Sequence, residues 1–117
     1  MNNEKTRIIQ ELVPGKQITI AHIIANPDEI LYQKLGLDPA KEHSGAIGIV
    51  TMSPSETAII AGDIAIKTSG AELGFVDRFS GSLIITGSVS EVEAATKAIL
   101  DYTQDTLGYT ICQITKT

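Results

Sequence analysis

The chain reads as an α+β domain built on one sheet. Three observations predict this. From Gly45 to Thr117 the segments follow the order strand, helix, strand, strand, helix, strand. Helical segments open on capping residues and close on glycine, so their ends are marked locally. Hydrophobic residues make up 43% of the chain, with no Trp, two Phe and three Tyr, so the core must be aliphatic.

Met1 to Arg7 is polar. The apolar stretch Ile8, Ile9, Gln10, Glu11, Leu12 and Val13 ends at the turn dipeptide Pro14-Gly15. Lys16 to Ala25 alternates as a strand does, placing Ile18, Ile20, His22 and Ile24 on one face. Asn26-Pro27-Asp28-Glu29 is a helix start, with Asn26 as N-cap and Glu29 set to reach back to it. That helix runs to about Leu35, with Leu31 and Leu35 on a shared face, and Gly36 stops it. Asp38 to Ser44 is a polar loop.

Ala46 to Met52 is rich in Gly and Ile and reads as a strand buried on both faces. Ser53-Pro54-Ser55-Glu56 repeats the capping chemistry and opens a helix to Ser69, ended by Gly70. Ala58, Ala61, Gly62 and Ala65 form a small-residue stripe along it, suited to close packing. Glu72–Asp77 and Leu83–Gly87 are strands joined by a Gly-containing connection that suits a hairpin. Ser88 or Ser90 caps a long helix to about Leu107, with Val92, Ala95, Ile99 and Tyr102 at helical spacing. Tyr109 to Thr115 is a last short strand. The order from Gly45 is the split βαβ pattern of ferredoxin-like folds, with helices on one side of the sheet.

At 117 residues the chain supports one domain. Nine Lys and Arg against fourteen Asp and Glu give a net charge of −5, which argues against nucleic acid and anionic membranes as partners. The single cysteine, Cys112, fits a reducing compartment. No apolar run reaches the roughly 20 residues of a membrane span, and the N-terminus lacks a signal-peptide pattern, so a cytoplasmic location is expected.

Little in the chain points to catalysis. His22 lies on an apolar strand face and reads as a core or interface histidine. His43 stands in a polar loop without a second ligand at metal spacing. Cys112 has no neighbouring cation to activate it and reads as a packed thiol. Asp63 and Lys67, four apart on one helix, can pair. Asp77-Arg78 at a strand end is placed to order the following turn. The glycines form no phosphate-binding loop and no triad is evident, so no catalytic residue, cofactor or metal is assigned. Ile8–Val13 is left without a partner inside the sheet. An unpaired apolar strand must pair with something, and copies arranged in a ring would close its edge.

Three stretches resemble the bacterial microcompartment shell proteins, and within them the circularly permuted hexameric members of ethanolamine- and propanediol-utilisation compartments. They are IIQELVPGKQITIAHIIANP (8–27), SPSETAIIAGDIAIK (53–67) and GFVDRFSGSLIITGSVSEVEAA (74–95). The resemblance covers nearly the whole chain. It implies a permuted BMC domain over 16–117 and a residue 1–15 extension whose strand, Ile8–Val13, joins five others in a small barrel over a central pore. It further implies a homohexamer that tiles with other shell proteins around encapsulated enzymes, in a compartment of the ethanolamine, propanediol or choline type. Lys67 matches the lysine at the tile edge. HIIANPDEILYQKLG looks like a unit that ordinary shell subunits carry at their C-terminus, with Asn26 where an arginine usually sits. DRFSGSL matches the pore loop, made here of Phe79, Ser80, Gly81 and Ser82, with Phe79 replacing a glycine. The resemblance favours Gln17–Ala25 for the last place in the sheet, and the strand–helix order favours Tyr109–Thr115.

The resulting expectation is a structural shell tile without turnover, its pore capped by the barrel. The rival is a ferredoxin-like module that binds a small-molecule regulator, for which the leading strand has no evident use.

Overall fold

A computed structural model describes residues 15–37 and 45–117. The expected barrel strand Ile8–Val13, the extension 1–15 apart from Gly15, and the loop carrying His43 lie outside the described residues. The elements are β1 (Gln17–Ala25), α1 (Glu29–Leu35), β2 (Gly45–Ser53), α2 (Thr57–Thr68), β3 (Glu72–Asp77), β4 (Ser82–Ser88), α3 (Val89–Asp105) and β5 (Thr115–Lys116). They form a five-stranded sheet in the order β3-β4-β2-β1-β5.

Both claimants to the end of the sheet are accommodated. β1 lies antiparallel beside β2, in the place that a ferredoxin-like fold gives its last strand. The C-terminal segment is displaced outward and runs parallel to β1. The strand expected over Tyr109–Thr115 does not form there: pairing is confined to His22–Thr115, Ile23–Lys116 and an isolated bridge between Gln17 and Thr110. The gap falls beside a bulge in β1 between Ile18 and Ile20. A bulge bends its strand and interrupts the neighbouring ladder.

The same bulge resets the alternation. Ile18, Ala21 and Ile23 face the main core, whereas Ile20, expected on the same face as Ile18, is 48% exposed. The main core joins these residues to Val50 and Met52 of β2, Leu83 and Ile85 of β4, and the inner faces of α2 and α3. Burying each such side chain contributes about 1.5–3 kcal/mol, so an aliphatic core of this extent is adequate. Gly48 lets α3 approach, since a Cβ there would stand 2.8 Å from both Ile85 and Val92. The two long helices thus share one side of the sheet. The short α1 covers the other, where Tyr32 and Leu37 pack on Ile47.

Helix ends follow local chemistry where the backbone permits it. Ser88 and Glu91 form a reciprocal capping box at the start of α3. Gly36, at φ 71°, closes α1 with the paired bonds of a Schellman motif, Gly36 N–H to Gln33 O and Leu37 N–H to Tyr32 O. Two expected caps fail. Asn26 takes a left-handed conformation (φ 51°), and Asp28 instead accepts the Ile30 N–H to start α1. Ser53 is the last residue of β2, paired with Gln17, so it cannot cap, and α2 begins only at Thr57. At the other end of α2 the C-cap is Ser69, one residue before Gly70. The expected face of α1 rotates, and that of α3 holds at Val92, Ala95 and Ile99 but not at Tyr102. Tyr32 is buried while Leu35 is 44% exposed, and Thr96 and Thr103 go inside while Tyr102 is 44% exposed. Both threonines satisfy their hydroxyls on carbonyls one turn back, Val92 and Ile99.

Candidate functional site

The sheet gives the domain two ends, and the residues singled out from sequence sort between them. At one end sits the β3–β4 hairpin. Asp77 accepts from the Phe79 N–H at 2.9 Å, the Ser80 N–H at 3.3 Å and the Ser80 hydroxyl at 2.8 Å, so it orders the turn as expected. These donors, the Phe79 N–H first, hold the Asp77 carboxyl below its ordinary range. Gly81, at φ 77°, donates to Asp77 O at 2.9 Å and accepts from Met52 N–H at 2.8 Å. The loop is therefore clipped to the end of β2 and to the approach to α2. Phe79 at its tip is 79% exposed. Arg78 lies over it, its Cζ 4.7 Å from the ring centroid.

The chain also enters the sheet at this end, since Gln17 pairs with Ser53 and Thr51 with Ser82. Gln17, the first residue of β1, therefore lies at the hairpin end.

Lys67 and Asn26 mark the opposite end. Lys67 is reached along α2, roughly 18 Å from Ser55 at 1.5 Å per residue. Its ammonium meets the Asp63 carboxylate at 2.8 Å, with the two side chains 72% and 53% exposed. That carboxylate raises the Lys67 pKa. Asn26 follows the nine residues of β1, a run of about 30 Å. Its N–H donates to Gly45 O at 2.9 Å. The structure therefore separates Phe79, Ser80, Gly81 and Ser82 from Lys67 and Asn26 by the length of the domain.

His22 is partly buried, and its two ring nitrogens meet the hydroxyls of Thr115 and Thr117 at 2.6 and 2.9 Å, which clasps β5 to the sheet. Cys112 is partly buried against the core. The Tyr32 hydroxyl is buried without a hydrogen-bond partner among the described residues, and desolvation raises its pKa. Among the described residues no group of His, Cys, Asp and Glu is placed to hold a metal, and no helix is long and apolar enough to cross a membrane.

Two features escaped the sequence reading. One is the stacking of Arg78 on Phe79, whose only signal was their adjacency in a turn. The other is an apolar side wall. Ile59 and Ile66 of α2 are 54% and 49% exposed, and Leu73 and Val76 of the edge strand β3 are 41% and 39% exposed. Gly62 ties them together, for a Cβ built there lies 3.5 Å from both Leu73 and Val76. The spacing of Ile59 and Ile66, seven residues apart on one helix face, was the available sign.

Comparisons with known proteins identify the family and the fold. A family model described as the BMC domain matches residues 46–115. The chain is 52% identical over 113 residues to the bacterial microcompartment shell protein EutS of Escherichia coli (strain K12), covering 97% of this chain and 98% of that one. It is 51% identical over 111 residues to the shell protein PduU of Salmonella typhimurium, covering 95% and 93%. Among solved structures, one described as a CutR flat hexamer superposes with a TM-score of 0.82 at 50% identity, covering 95% of this chain and 99% of that chain.

Proposed function

The chain belongs to the BMC-domain family of bacterial microcompartment shell proteins, and from that premise we propose that it closes into a hexameric tile with the β3–β4 hairpin at the axis and Lys67 and Asn26 at the rim. The observation that carries this reading is the polarity of the domain. The hairpin and the point of chain entry share one end, and both rim candidates lie at the other. In such a ring the segment Ile8–Val13 of every subunit starts next to the axis, where copies can pair as a small barrel over the opening. The extension 1–15 then serves the ring and 16–117 serves as the tile body. The role is structural, without turnover.

The apolar side wall supplies the ring contact. An exposed edge strand flanked by isoleucines is a liability unless covered. A second copy of the chain is the occupant that the hexameric relative suggests. Because one side of a subunit meets a different surface of the next, such a contact closes into a ring rather than a two-fold dimer.

Native mass spectrometry tests the reading. The intact protein should have the mass of six 12.4 kDa chains. Ile59→Glu should release monomers with an unchanged far-ultraviolet circular dichroism spectrum, because the side chain is exposed in the isolated subunit. A monomeric parent protein, or a hexamer undisturbed by Ile59→Glu, would refute the ring or its contact surface respectively.

A further inference from the structure

Resting on the axial placement of the hairpin, we propose that the Arg78 side chains of one ring together form a binding site on the symmetry axis for a multivalent oxyanion of the phosphate type. Arg78 is exposed and, among the described residues, makes no ion pair. Three of the other described cations, Lys67, Lys97 and Lys116, lie against the carboxylates of Asp63, Asp101 and Glu93, whereas Lys16 and Lys34, like Arg78, make no ion pair among the described residues. In a chain of net charge −5, an unpaired guanidinium beside an axis is a local positive group.

The adjacent acid, Asp77, makes no ion pair with Arg78 among the described residues. The Asp77 carboxylate is engaged by two turn N–H groups and the Ser80 hydroxyl. Those donors hold it ionised for the turn. The Arg78 Cζ meanwhile lies over the Phe79 ring, 4.7 Å from the ring centroid. Stacking uses the plane of the group and leaves its in-plane N–H fork free, which is the edge that binds oxyanions in bidentate fashion. The aromatic thus restrains the cation without consuming its donors.

Symmetry then makes the site. Guanidiniums brought together around one axis repel each other, and an anion carrying several charges relieves that repulsion at one shared point. A monovalent anion would do so poorly, and an amine-bearing cation would be repelled. The site is incomplete in any single subunit.

Inorganic pyrophosphate is a suitable probe, titrated calorimetrically into the assembled ring. One pyrophosphate should bind per hexamer. Arg78→Gln should weaken it about tenfold or more, as expected for loss of charge-assisted bonds. Arg78→Lys, which keeps the charge and loses the fork, should fall between. Equal affinity in Arg78→Gln, or one equivalent site per chain, would overturn the shared axial site. A separate measurement guards the premise. Phe79→Cys should be joined between subunits of one ring by a short bismaleimide. Absence of such joining removes the axial placement itself. Joining without pyrophosphate binding leaves the placement standing and removes the anion site alone.

Discussion

The two ends of this domain, proposed as axis and rim, are held by different means. At the axial end the shape is set by backbone. Gly81 is at φ 77°, and a Cβ there would fall 2.2 Å from Met52 O and 3.1 Å from Ser55 Cα. At the rim end the distinctive groups are solvated. Lys67 rests on an exposed carboxylate; away from the hairpin, the turn after α1 likewise uses Gly36, whose missing Cβ would touch nothing within 4 Å. In the proposed ring the hairpin faces its own symmetry mates and must hold one shape. The rim can adjust side chains when another tile abuts it.

The largest effect should come from filling the gap at Gly81. Gly81→Ala adds a methyl where both conformation and space forbid it, and should cost about 3 kcal/mol or more. Gly36→Ala meets only the conformational objection, and should cost about 1 kcal/mol. Urea denaturation of both variants reads the difference directly. Equal losses would mean that the hairpin is not clipped to β2, and the contrast between the two ends would fail.

A smaller, pH-dependent effect should come from Asp77. Its folded pKa lies below the ordinary carboxylate value of 3.8, chiefly because of the Phe79 N–H. A depressed folded value means that the turn's stabilisation is whole above the unfolded pKa and fades as pH falls through the folded one. The thermal midpoint of the parent protein should therefore drop more than that of Asp77→Asn between about pH 5 and about pH 2. Parallel curves would show that the charge on Asp77 contributes nothing to the turn.

What could be read beforehand follows the same division between local chemistry and backbone geometry. The serine cap of α3 (left between Ser88 and Ser90), the Gly36 stop, the buried stripe of Ala58, Ala61 and Ala65, and the hairpin itself were legible because each is written in adjacent or periodic residues. The face of β1 was not. A bulge at Thr19 is a property of pairing with β2, and it moved Ile20 out of the core. Asn26 and Ser53 carried good capping chemistry in the wrong backbone, one left-handed and the other inside a strand. The C-terminal strand was over-read because nothing in Tyr109–Thr115 announces that β1 already holds the place beside β2. The residues proposed for the axis and the rim came from resemblance. Only the register of β1, β2 and β4 shows that they fall at opposite ends.

Lys67→Ala should have the smallest effect on the folded subunit and is the sharpest test of the rim. An exposed (i, i+4) pair adds little to stability, so the thermal midpoint and the mass of the ring should not change. The side chain is 72% exposed in the subunit, which leaves its stem and charge available to a neighbouring tile. Its removal also leaves Asp63 without its cation, and abutting rims would then bring carboxylates together. Extended sheets seen by negative-stain microscopy should therefore shrink or vanish while single rings persist. If rings are lost with the sheets, Lys67 belongs to the contact within the tile, and the two ends of the domain no longer have separate tasks.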